Sequence, residues 1–171
     1  MESETSIAAL ILANIPNAVM GRRVHSSGGS MYLPLVNGLA IYDLPHARLL
    51  RSYGGLSLSP SSLPTITLDP FGETVYASST DGPEIATLDS VPLTVGHVVP
   101  AALPGTLVTL RGSGFTSDTE AQIGGHNVST QFIDANTLQV VVPALPSGSV
   151  RVTVTKSTGD RFDLDAGLTV K

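Results

Sequence analysis

Two stretches decide the fold: Leu138-Gln139-Val140-Val141-Val142 and Val150-Arg151-Val152-Thr153-Val154-Thr155. Apolar side chains return there at alternate positions, the period with which a strand sends successive residues to opposite faces of a sheet. Outward from these stretches, no window of about eleven residues holds a clean helical period. Turn residues interrupt the apolar runs every 8 to 12 positions or so, in Asn37-Gly38, Asp69-Pro70-Phe71-Gly72, Asp81-Gly82, Gly124-Gly125 and Pro146-Ser147-Gly148. The pattern predicts an all-β chain of short strands with little helix.

The composition narrows the partners. The 171 residues carry 9 Lys and Arg against 14 Asp and Glu, a net charge of −5. That balance argues against nucleic acid and anionic membrane as main partners, since phosphate binding needs a basic face. Disorder driven by charge is excluded by an apolar content of 42%, and 17 Gly and 12 Pro fit a turn-rich fold. The absence of Cys excludes a disulfide framework, thiolate catalysis and any zinc site that uses sulfur. Residues 7–15 (IAALILANI) are apolar but too short to span a bilayer, and Glu2 and Glu4 stand where a signal peptide would carry Lys or Arg. The chain as written is therefore expected to be neither exported nor anchored.

An internal repeat is legible at an offset of 44 positions: Gly28 falls on Gly72, Tyr32 on Tyr76, Gly38 on Gly82, Ile41 on Ile85, Leu44 on Leu88 and Leu49 on Leu93. In the second copy the spacing predicts strands on both sides of the Asp69–Gly72 turn, a third at 84–88 and a fourth near 93–98. Four short antiparallel strands in about 44 residues make one propeller blade. The run Leu68-Asp69-Pro70-Phe71-Gly72-Glu73-Thr74-Val75-Tyr76-Ala77-Ser78, followed by Ile85-Ala86-Thr87-Leu88-Asp89, resembles the YVTN or lactonase-like seven-bladed β-propeller repeat. The first copy fits less closely, with Ser26-Ser27-Gly28 in place of the Asp-Gly turn. A propeller closes with four or more blades, whereas this chain holds about two and a leading strand at 7–15.

The second half carries four blocks in order: Gly105-Thr-Leu-Val-Thr-Leu-Arg-Gly112-Ser-Gly114-Phe115, Ala121-Gln-Ile-Gly124-Gly125, Asp134-Ala-Asn-Thr-Leu138-Gln-Val-Val-Val-Pro143 and Gly148-Ser-Val-Arg-Val-Thr-Val-Thr155. Over residues 98–170 this resembles the IPT/TIG domain, an immunoglobulin-like E-set sandwich. In such a fold Val108 and Leu110 face inward, Gly112 and Gly114 let the chain turn where a side chain would obstruct it, and Phe115 closes the end of the core. Gly124-Gly125 suits a two-residue hairpin with positive φ, and Pro143 ends its strand.

Chemistry-bearing residues do not converge in the sequence. His25, His46, His97 and His126 are scattered, without the i, i+4 spacing of a helical metal site, and His97 is singled out as a contact at the hand-over between the two halves. Gly112-Ser113-Gly114 lacks the strand-to-helix setting of a nucleophile elbow. Asp163-Leu-Asp165-Ala-Gly167 is too short for a calcium loop and reads as a strand with one wet face. Asn127-Val-Ser129 matches a glycosylation sequon by pattern alone. Phe115, Phe132 and Phe162, the aromatics of the second half, all suit the core. DNA binding through immunoglobulin-like loops is opposed by the charge of that half, where Arg111, Arg151, Lys156, Arg161 and Lys171 are outnumbered by six carboxylates.

These readings predict an all-β protein: partial β-propeller blades, each a four-stranded antiparallel sheet, over residues 1–97, followed by an immunoglobulin-like β-sandwich over 98–171. No catalytic, cofactor-binding or metal-binding residue is assigned, no cofactor is expected, and the chain is not read as an enzyme. The resemblances imply a structural and interaction module that makes protein–protein or cell-surface contacts within a larger exported bacterial propeller protein. Its partner is then another protein or other chains of the same protein, with no nucleic acid and no membrane insertion. The alternative is binding of carbohydrate or cell-wall polymer through the IPT/TIG domain.

Overall fold

A computed structural model describes residues 23–24, 28–35, 38–54, 66–79 and 82–171. The expected leading strand at 7–15, His25, Asn37 and Asp81 lie outside the described residues. Among those described there are strands and turns but no helix, and none is long and apolar enough to cross a membrane as a helix. The chain divides into two compact units, one including Ser30–Pro92 and the other Leu93–Lys171.

The first unit opens with β1 (Arg23–Val24), β2 (Ser30–Leu35), β3 (Gly38–Asp43) and β4 (Leu49–Gly54), which form one antiparallel sheet in chain order. Then come β5 (Ile66–Leu68), β6 (Thr74–Ser79) and β7 (Gly82–Thr87), a three-stranded antiparallel sheet, again in chain order. The repeat is present in the backbone. From β2 to β6 the bounds move from 30 and 35 to 74 and 79, and from β3 to β7 they move from 38 and 43 to 82 and 87, a shift of 44 each time. The register moves with them: Val24↔Met31 becomes Leu68↔Val75, and Tyr32↔Ile41 becomes Tyr76↔Ile85. Gly28 and Gly72 both hold a left-handed φ, of 71° and 74°, a backbone state that glycine reaches at little steric cost.

The two sheets share one core. Tyr32, Leu39 and Ile41 of the first are buried with Ile66, Val75, Ala77 and Leu88 of the second, and Leu50 and Tyr53 of β4 pack against the cluster. The Tyr32 hydroxyl donates to the Gly72 carbonyl at 3.1 Å. Burial pushes that phenol well above its ordinary pKa, with the nearby Tyr53 and Asp69 adding to the shift.

The second unit begins with β8 (Thr94–Val98), β9 (Ala101–Ala102) and β10 (Leu107–Ser113). It continues with β11 (Glu120–Ile123), β12 (His126–Val128), β13 (Thr130–Asp134), β14 (Thr137–Val141), β15 (Gly148–Thr155) and β16 (Arg161–Val170). One sheet runs β13-β14-β10-β8 and the other β12-β11-β15-β16-β9, antiparallel except for β16 with β9. Their inner faces enclose a core that includes Val95, Val108, Leu110, Phe115, Ile123, Leu138, Val140, Val152, Val154, Phe162 and Leu168.

Several expectations hold here. Ile123↔His126 closes a two-residue hairpin on Gly124 and Gly125 at φ 58° and 83°. Phe115 is buried, and a Cβ on Gly112 would overlap the Thr94 carbonyl oxygen and the Phe115 ring. Two expectations need correction. The strand near 93–98 is not the fourth strand of a second blade: β8 pairs with β10, setting Leu110 opposite Val98 and Ser113 opposite Thr94, and Val95 enters the sandwich core. The equivalent position one repeat earlier is the exposed Arg51, so an apolar residue at 95 changes which neighbour the strand prefers. Phe132 is not a core residue, because it lies on the edge strand β13, where the register slips between Phe132 and Asp134, and its ring is partly exposed.

Candidate functional site

The residues singled out in the sequence lie apart. His46 is in the turn after β3, where its Nδ1 sits 3.4 Å from Asp43 Oδ2. Asp43, fully buried at the end of β3, also accepts from the His46 and Arg48 backbone N–H groups at 2.8 and 3.4 Å and from Arg48 Nε at 3.2 Å. The cluster is a turn clamp, with the carboxylate committed to holding the chain between β3 and β4. His126 is exposed beside the β11–β12 hairpin, and the His97 backbone lies in β8 opposite Arg111. Ser113 is buried and shares a 2.8 Å hydrogen bond with the Thr94 hydroxyl, so the Gly112-Ser113-Gly114 segment is structural. Among the described residues no three His, Asp or Glu side chains come together as a metal site.

Asp163 and Asp165 do lie on a strand with a wet face. On the outer side of the sandwich, Asn127, Gln122, Thr153 and Asp163 stand opposite one another across β12, β11, β15 and β16. Gln122 Nε2 donates to Asn127 Oδ1 at 2.8 Å, and Thr153 Oγ1 to Asp163 Oδ1 at 2.5 Å. Partial burial works to raise the Asp163 pKa. Hydrogen bonds from Arg161 and Thr153, with the charges of Arg161 and Arg151, outweigh it and hold the carboxyl below its ordinary value. Arg151 Nε donates to Asp165 Oδ1 at 2.6 Å, which raises the guanidinium further. In the loops, Asp118 accepts from the Ser157 hydroxyl and backbone N–H, and these bonds with one from Thr116 lower its pKa strongly.

A feature of another kind lies in the first unit. Thr67, Tyr76 and Ile85 form one row across β5, β6 and β7. The row one repeat earlier is Arg23, Tyr32, Ile41 and Arg51 across four strands. Tyr32 and Ile41 are 0% exposed under the neighbouring sheet, while Tyr76 is 46% and Ile85 68% exposed. Thr67 and Thr87 on the same face are also exposed, and neither carries charge. The first sheet has β4 beside β3, but among the described residues no strand pairs with the outer edge of β7. Sequence reasoning found Tyr76 and Ile85 as repeat positions and missed them as a surface. The available signal was that the fourth-strand segment carries sandwich-type apolar residues. On the sandwich, Leu107 and Val141 form a second exposed cross-strand pair.

Comparison with known proteins adds to this geometry. Residues 93–167, which lie within the second unit, match the IPT/TIG domain family. No curated protein sequence matches the chain. Similar solved structures include the Bacteroides ovatus mixed-linkage glucan utilization locus SGBP-B in complex with a mixed-linkage heptasaccharide, at 18% identity over 57% of this chain with a TM-score of 0.40. Another is gamma-CGTase from alkalophilic Bacillus clarkii, at 20% identity over 90% of this chain with a TM-score of 0.46. The matched regions span 28% and 25% of those two chains.

Proposed function

We propose that the chain is a non-catalytic interaction module: propeller-type blades of a larger exported bacterial protein, followed in sequence by an IPT/TIG sandwich, working through protein–protein or cell-surface contacts. The observation that carries this reading is the bare Tyr76–Ile85 row, whose repeat equivalents Tyr32 and Ile41 are fully covered by another sheet. A strand face with an aromatic and a β-branched side chain gains stability when a second sheet covers it. The identical register of the two copies supports the blade reading, since blades are antiparallel sheets repeated in chain order. Asp43, His46 and Ser113, which chemistry could have recruited, are engaged in turn and core hydrogen bonds.

The second reading, binding of carbohydrate or cell-wall polymer by the sandwich, is favoured by the polar row Asn127, Gln122, Thr153 and Asp163, which sets hydrogen-bonding residues opposite one another across four strands, with Thr153 itself buried. Against it, Phe115 and Phe162 are buried, which leaves the partly exposed Phe132 as a single ring and not a stacking platform. Retention of the full chain on a panel of insoluble glycans decides between the two. The proposed function predicts no retention; retention that is lost in Gln122→Ala would transfer the function to the polar row.

A further inference from the structure

We draw no further inference here: the strongest candidate, the exposed Tyr76–Ile85 row on the sheet face of β6 and β7, carries nothing because no feature of the structure shows what covers it.

Discussion

Asp43 shows how a charged residue can be buried without serving a reaction. Its carboxylate is inaccessible yet receives two backbone N–H groups and the Arg48 guanidinium, so removing it strands several donors. Asp43→Ala should destabilise the first unit by about 3 kcal/mol, measurable by urea unfolding. Ala166 sits at φ 52° in β16, where the register slips between Val150 and Val152 on the paired β15. A Cβ in that left-handed state is strained, so Ala166→Gly should stabilise the sandwich by about 0.5 to 1 kcal/mol. Asp163 gives the pH dependence. Its folded pKa lies below the unfolded value of about 3.9, so the stabilisation is complete above that pH and is lost as the pH falls through the folded pKa. In Asp163→Asn, thermal unfolding followed from pH 7 to pH 2 should show a shallower acid decline than wild type, with a loss of about 0.5 kcal/mol at neutral pH. The glycine positions were legible because close approach and positive φ admit few alternatives. The Asp43 clamp was not, because an Asp-x-x-His-x-Arg turn has no spacing that separates it from ordinary surface charge.

Among the elements, β8 is the most informative. Alternation announces a strand at this point but does not name its sheet, because pairing is settled by contacts distant in sequence. The repeat alone assigns the segment to a blade, while its side chains fit the sandwich: Val95 is fully buried in that core, where the repeat equivalent Arg51 is exposed. Val95→Asp therefore discriminates. In the sandwich it buries an unpaired carboxylate and should cost about 3 kcal/mol or more, seen as unfolding of the second unit. A strand exposed as β4 is would tolerate it within about 0.5 kcal/mol. The strands β5, β6 and β7, by contrast, were legible as two strands on either side of the Asp69–Gly72 turn and a third near 84–88, since consecutive antiparallel strands joined by short turns pair with their neighbours in sequence.

At the scale of the whole molecule, the described residues comprise a unit of two sheets, with four and three strands, and a sandwich that matches the IPT/TIG domain family over residues 93–167. What composition and motif could express was the all-β class and the sandwich; the exposed Tyr76–Ile85 row was not written in any motif. It emerges from comparing one repeat copy with the other, position by position, once burial is known. Retention of the full chain on a panel of insoluble glycans tests the proposed function most directly. Our account predicts no retention. Retention that is lost in Gln122→Ala would contradict it.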